Sequence, residues 1–314
     1  MQIAVKLKIA GIIIHICSDS RQIKIPEKKR NRAEHYRFHN FFYRGSERPR
    51  IVICVCVVDR LPETKAGKNV FISSHFDDNR EHWRIIENGG QVIYRSPLED
   101  AETVAFIQKR FSRVQIYLLP KRKKGKVWEL SDIIYNFLEI LLINYLAIRS
   151  LGVFAHGAAI RDLNKSAMLF CGKSGGGKST LARIWFKNSN AVVLNDDRVI
   201  VRREGDGFSL HSSPWTGEFT RYLRKKLHPA PLGILFFIHH GGVNTAARID
   251  PAQAFRALYP TIFPPFWNRQ CLENTARFCQ RLVQKIPCYR IWFAKNKKVI
   301  SFVREIEADE RAAV

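Results

Sequence analysis

The sequence predicts an α/β domain built round a phosphate-binding loop, preceded by a strand-rich α+β domain. Three observations predict it. Residues 172–180 read Gly-Lys-Ser-Gly-Gly-Gly-Lys-Ser-Thr, which fits the pattern G-x-x-x-x-G-K-[ST]. The apolar run Ala167-Met168-Leu169-Phe170-Cys171 leads into it, and Thr180 to Phe186 carries apolar residues at helical spacing. Upstream, residues 1–120 are dominated by short β-branched or alternating runs.

Within the N-terminal stretch, Val5-Lys6-Leu7-Lys8-Ile9 alternates apolar and basic residues, as a half-buried strand does. Ile51 to Val58 is a near-continuous strand run. Val92-Ile93-Tyr94 and Val114 to Leu119 add two more. Polar connections separate them, including the basic Lys28-Lys29-Arg30-Asn31-Arg32. No catalytic constellation stands out, so residues 1–126 read as a binding or scaffold domain. The run Lys121 to Lys126 marks its end, as a solvated linker or as a docking patch for an acidic partner.

Residues 127–314 then read as the phosphate-loop domain. Trp128 to Ile148 predicts a helix, with Ser131 as its cap and Asp132 in its first turn. Val153 to Ile160 carries His156-Gly157 on the strand before the loop strand. After the loop helix, Ala191-Val192-Val193-Leu194 and Gly233 to Ile238 predict strands. Pro251 to Tyr259 and Cys271 to Val283 predict helices. Tyr289 to Phe293 and Val299 to Val303 predict strands.

The loop chemistry is direct. Glycines let successive backbone N–H groups converge on one anion, and the following helix points its positive end at the same place. Gly172, Lys173, Ser174, Gly175, Gly176, Gly177, Lys178, Ser179 and Thr180 form the candidate cofactor cradle. Lys178 brings a mobile charge for the β- and γ-phosphates, and Ser179 a hydroxyl for Mg²⁺. Asn195-Asp196-Asp197 closes the next strand. Acids at the carboxyl end of a strand beside such a loop are placed to hold a metal and to accept a proton. Two adjacent carboxylates repel each other unless a cation lies between them. Only one short helix fits between Lys178 and Asp196, which suits a compact kinase better than a motor or GTPase. His156 reads either as a satisfied core residue or as a group that tunes the site.

Composition narrows the partners. The chain has 52 basic against 28 acidic residues, a net charge of +24. That surface favours anions: nucleotides, acidic peptides, nucleic acid or a membrane face. No helix-turn-helix, zinc-finger or RNP-type motif supports nucleic acid. The seven cysteines show no C-x-x-C spacing, and their odd count suits a reducing cytoplasm. Ile9 to Cys17 is apolar but broken by Gly11 and His15, which argues against a signal peptide. Asn136, Glu139 and Asn144 interrupt the longest apolar helix, so no membrane span is expected. His239-His240-Gly241-Gly242 lacks the cysteine or carboxylate partners of a zinc site.

Taken together, His156-Gly157, the loop Gly172 to Thr180, and Asn195-Asp196-Asp197, in this order and spacing, resemble the C-terminal domain of HPr kinase/phosphorylase. That family is distantly similar to phosphoenolpyruvate carboxykinase in its core. The resemblance covers about residues 128 to 303 and is most specific over 153 to 218. It is closest to the stand-alone HPr-kinase-like proteins of peptide-modification gene clusters, whose Asp-Asp pair is followed by Pro-Trp-x-Gly, here Pro214-Trp215-Thr216-Gly217-Glu218.

The resemblance implies ATP, Mg²⁺ and phosphorylation of a serine hydroxyl on a protein or peptide. It assigns Lys178 and the loop amides to the phosphates and Ser179 to Mg²⁺. Asp196 and Asp197 supply the metal contact and the base between them, with His156 as a catalytic neighbour and a homo-oligomer as one possible assembly. Trp215 is either a cover for the ligand or a structural anchor. Arg221, Arg224, Lys225 and Lys226 either stabilise transferred charge, meet an acidic substrate or form a solvated face. Thr180 stands where HPr kinases usually carry Glu, and no Arg-Gly-rich phosphorylase signature is found, so neither the reverse reaction nor HPr as substrate follows. Rival readings are a kinase of a small metabolite, a nucleotide-gated nucleic-acid-binding module, and an ATP-binding scaffold without catalysis.

Overall fold

The computed structural model of the chain describes residues 2–25, 36–63, 67–74, 81–108, 110–121, 126–162, 166–217 and 228–312. These form two compact units, Met1–Ile148 with Pro265–Arg269, and Arg149–Pro264 with Gln270–Val314. The division therefore falls after the long helix, not at the basic run before it as the sequence suggested. That helix buries its apolar face in the N-terminal unit, and burial decides membership.

The N-terminal unit is a mixed sheet backed by that helix. Its elements are β1 (Ile3–Ile9), β2 (Ile12–Ser18), β3 (Ile23–Lys24), α1 (Tyr36–His39), β4 (Ile51–Val57), β5 (Lys68–Ser74), β6 (Glu81–Asn88), β7 (Gln91–Pro97), β8 (Ala101–Ile107), β9 (Arg113–Pro120), β10 (Trp128–Glu129) and α2 (Leu130–Ile148). Eight strands lie in the order β1-β2-β4-β9-β8-β7-β6-β5. β2, β4 and β9 run parallel, and the other pairs are antiparallel. Period-two alternation sets the faces. Ile51, Ile53 and Val55 of β4 are buried, while Cys54 and Cys56 turn to the other face, where Cys54 meets Cys17 of β2 with the sulfurs 3.1 Å apart. On α2, Ile134, Phe137, Leu138, Leu141, Leu142 and Tyr145 recur at helical spacing and are buried. Phe137 meets Tyr94 of β7 at 5.4 Å between ring centroids. By length and composition alone α2 is long and apolar enough to cross a membrane, and 56% of its most apolar stretch is buried within the protein.

The C-terminal unit is a sheet with helices on both faces. It contains β11 (Gly152–Arg161), β12 (Ala167–Cys171), α3 (Lys178–Asn188), β13 (Val192–Asn195), β14 (Arg198–Glu204), β15 (Gly207–His211), β16 (Ala230–His240), β17 (Thr245–Arg248), α4 (Pro251–Leu258), α5 (Arg269–Lys285), β18 (Cys288–Phe293) and α6 (Lys298–Ala312). β12, β16 and β18 are parallel neighbours. β11 is long enough to serve two neighbourhoods: its first half pairs with β14 and its second with β12 and β13, all antiparallel. Every residue of β12 is buried, as expected of a strand covered on both faces. Leu169, Leu235 and Phe237 pack with residues of α4 and α5, including Leu258, Phe278 and Leu282. Phe170 and Phe236 pack on the other side with Leu181 and Trp185 of α3 and Val299 and Val303 of α6.

The predicted strand Val299 to Val303 is instead the start of α6. Val299, Ile300, Val303 and Glu307 are its buried residues, at helical spacing. A short β-branched run cannot by itself tell the two periods apart, and here the packing face decided. Arg304 of α6 adds a paired contact to Asp162, at 2.6 and 3.0 Å.

Candidate functional site

The site lies where β12 ends, at the carboxyl ends of the parallel strands. This is the position where open α/β sheets bind ligands. β12 delivers the chain into the glycine loop, and α3 starts at Lys178. Lys173, Ser174 and Gly175 are exposed at the loop tip; Gly172, Gly176, Ser179 and Thr180 are partly buried. The Gly176 N–H donates to the Lys173 carbonyl at 3.0 Å, closing the loop on itself. Gly177 caps α3 with φ 96° and supplies no side-chain cap. Only glycine adopts that conformation cheaply. A Cβ there would also lie 3.0 Å from the Phe293 ring. The first N–H groups of α3 therefore lack a side-chain cap, which leaves the helix start suited to an anion.

Lys178 is only 6% exposed. Its Nζ donates to the Gly172 carbonyl at 3.0 Å and the Lys173 carbonyl at 2.8 Å. Burial lowers its pKa, and Cys171 and the Asp197 carboxylate oppose that shift. The ammonium is thus held at the loop by weak neutral acceptors, which an anion would outcompete.

The two acids do different things. β13 ends at Asn195, and β14 starts at Arg198, so Asp196-Asp197 is the turn between them. Asn195 organises that turn from a fully buried position. Its Oδ1 accepts the Asp197 N–H at 2.9 Å, an Asx turn. Its Nδ2 lies within donating distance of the Arg198 carbonyl at 3.1 Å and the Trp215 carbonyl at 3.2 Å. Asp196 is 2% exposed, and its Oδ1 accepts the Gly217 N–H at 3.0 Å. Asp197 points the other way. Its Oδ1 is 3.5 Å from His156 Nε2, its Oδ2 pairs with Arg198, and its charge acts on Lys178.

His156 and Arg198 are register partners on β11 and β14. Phe263 lies over both, 6.1 Å from the imidazole and 4.8 Å from the guanidinium. Burial lowers the His156 pKa first, Lys178 and Arg198 lower it further, and Asp197 opposes them. These influences favour the uncharged imidazole over the charged one.

The structure thus gathers His156, Lys178 and Asp197 at the loop, and commits Asp196 to the segment after β15. Trp215 is a buried anchor there, 2% exposed and 5.8 Å from Phe154. Glu218, Arg221, Arg224, Lys225 and Lys226 lie outside the described residues, as do most of the basic run at 121–126 and the tract at 28–32. Asn195, Arg198 and Phe263 were not picked out as functional from sequence. Asn195 and Arg198 flank the acid pair and could have been; Phe263 reaches the site through pairing of its segment with β11, by its N–H to the Phe154 carbonyl at 2.9 Å.

Among the described residues no cluster of three or more His, Cys, Asp or Glu side chains forms a ready metal cage. Mg²⁺ in nucleotide sites needs none, because it keeps waters and shares one or two carboxylates with substrate phosphates. Ser179 at the start of α3 and the acid pair after β13 supply the hydroxyl and carboxylate oxygens such an ion would take. Of the two acids that the resemblance offered with Ser179 for the metal contact and the base, Asp196 has one oxygen engaged by Gly217, and Asp197 is engaged by Arg198 and lies 3.5 Å from His156. In comparisons with known proteins, no family model and no curated protein matches this chain.

Proposed function

We propose that the chain is an ATP-dependent kinase that transfers the γ-phosphoryl group to a serine hydroxyl on a protein or peptide. The observation that carries this reading is the convergence of Lys178, Asp197 and His156 at the end of a glycine loop whose helix start is uncapped by any side chain.

The roles follow from the geometry. Loop N–H groups and the start of α3 bind the polyphosphate, and the Lys178 ammonium moves from the Gly172 and Lys173 carbonyls to phosphate oxygens. Bound Mg²⁺ would neutralise charge between the phosphates. The serine oxygen forms its bond to the γ-phosphorus as the bond to the β–γ bridging oxygen breaks, and that electron pair leaves with ADP. Asp197 accepts the hydroxyl proton, a contribution of about 10²–10⁴ in rate. Arg198 holds the carboxylate in place, with His156 beside it. Asp196 keeps the turn in register through Gly217.

The test is transfer of label from γ-labelled ATP to serine-containing peptides by the full-length chain. Lys178→Ala and Asp197→Ala should each abolish transfer. Full turnover in either variant would remove the assignment.

A further inference from the structure

Two of the seven cysteines meet across neighbouring strands, although they lie 37 positions apart in the chain. Cys17 of β2 and Cys54 of β4 are register partners in a parallel pair. The partners just before them, Ile16 and Ile53, are buried, and Ile16 lines a small cavity together with Ile134 of α2. Alternation turns Cys17 and Cys54 to the opposite face of the sheet. Both are free thiols there and both are partly exposed. Their sulfurs lie 3.1 Å apart. Adjacent strands run about 4.7–4.9 Å apart, inside the Cα separation of about 4.4–6.8 Å that a disulfide spans. Closure to a bond of about 2.05 Å asks for about 1 Å of sulfur movement, which side-chain rotation supplies without moving either strand.

We propose that Cys17 and Cys54 are an oxidation site, closed to a disulfide by a hydroperoxide and reopened by a thiol reductant. The site stands independently of the phosphate-loop reading. The two sulfurs have different parts. Burial first, and then the hydrogen bond with Cys54, push the Cys17 thiol up to about 12, so Cys17 keeps its proton at neutral pH. Cys54 is then the sulfur that attacks. Its thiolate forms an S–O bond as the peroxide O–O bond breaks, giving a sulfenic acid on Cys54. The other peroxide oxygen leaves as an alcohol, or as water from hydrogen peroxide, completed by the proton that Cys54 gave up. The Cys17 sulfur next displaces the hydroxyl: the S–S bond forms, the S–O bond breaks, and the Cys17 proton leaves with the hydroxyl as water. Two thiols are oxidised and one peroxide is reduced. Cys56 is a comparison within the same strand. It is exposed and accepts a hydrogen bond from Gln115 Nε2 at 3.2 Å. Its register partner is Tyr117, so no facing thiol resolves its sulfenic acid.

The experiment treats the full-length chain with hydrogen peroxide, alkylates the remaining thiols and maps peptides by mass spectrometry without reduction. Wild type, Cys17→Ser, Cys54→Ser and Cys56→Ser are compared, with dimedone in a parallel set to trap sulfenic acid. Wild type and Cys56→Ser should give a linked Cys17–Cys54 peptide as the main product, two hydrogens lighter than the reduced pair and restored by dithiothreitol. Cys54→Ser should give no such link. Cys17→Ser should give none either, and a dimedone adduct on Cys54 far stronger than in the wild type, where Cys17 consumes the sulfenic acid. Wild-type Cys17 and Cys54 both still alkylated at a peroxide dose that oxidises Cys56 would overturn the site. So would a main product in which Cys56 takes the place of either cysteine. Where a serine variant fails to fold, the wild-type and Cys56→Ser maps decide by themselves, because each shows directly which two sulfurs are joined.

Discussion

The division of labour between Asp196 and Asp197 can be separated by two substitutions read in two assays. Asp196→Ala removes a buried carboxylate oxygen from the Gly217 N–H that it accepts at 3.0 Å. A buried donor left without its acceptor costs about 1–3 kcal/mol. In a domain of this size each kcal/mol moves the melting temperature by about 2–4 °C, so the shift expected is about 2–12 °C downward. Asp197→Asn is different. Asp197 is 23% exposed, and its partners Arg198 and His156 are 30% and 31% exposed. A pair so open to solvent contributes about 0–1 kcal/mol, so the melting temperature should hardly move. Turnover, however, should fall by about 10²–10⁴, the usual contribution of a general base. Gly217→Ala is a control for the first effect, because its Cβ would sit 2.7 Å from Asp196 Oδ2 and push the carboxylate off the N–H. The assays are thermal unfolding and label transfer on the same preparations. If Asp197→Asn keeps more than a tenth of turnover, or Asp196→Ala melts where the wild type does, the assignment of roles is wrong.

Three further outcomes are expected. Gly177→Ala forces φ 96° on a residue with a Cβ and brings that atom 3.0 Å from Phe293. It should destabilise by about 1–2 kcal/mol in urea unfolding and weaken triphosphate binding; wild-type values in both would refute the role given to the loop conformation. Stability should also fall as the solution is acidified. Burial lowers the folded pKa of His156 and His211 below the ordinary value of 6.5. Between that value and the lower folded ones the unfolded chain binds more protons, so stability rises with pH there and is lost as pH drops through the same window. His211→Gln should flatten the slope, and an unchanged slope in thermal melts from pH 7 to pH 5 would contradict this. Finally, a water-soluble thiol reagent should modify exposed Cys56 in the native protein. Cys171, Cys271, Cys279 and Cys288 should react only on unfolding, since all four are buried and burial pushes their thiols up to about 12. Rapid native labelling of any of those four would show that the core packing is misassigned.

Much of the local architecture was legible in the residues. The run Ala167 to Cys171, the glycine loop and the helix after it occur in the predicted order. The strands at Val5–Ile9, Ile51–Val58 and Val114–Leu119 and the helices at 251–259 and 271–283 match observed elements to within a few residues. Strong periodicity and glycine placement specify such segments without help from distant contacts. The start of α6 was misread because Val299-Ile300 satisfies a strand pattern until Val303 and Glu307 are seen to share a buried face. Strands β5 and β6 of the N-terminal sheet and the hairpin β14–β15 were not predicted; in β14, Arg202, Arg203 and Glu204 break the apolar pattern.

The chemistry of the loop was a property of the chain: glycines able to turn their amides inward, a lysine and a serine at the start of a helix. Which acid faces that lysine was not, because adjacent side chains in a turn point in different directions, and only the Asn195 amide and the Gly217 N–H settle which carboxylate is taken. Nor was the ring of Phe263 over His156, or the meeting of His239 with Trp292, since strand pairing alone brings residues so far apart in sequence into contact. Sequence sets what each group is able to do, and long-range packing decides which groups meet.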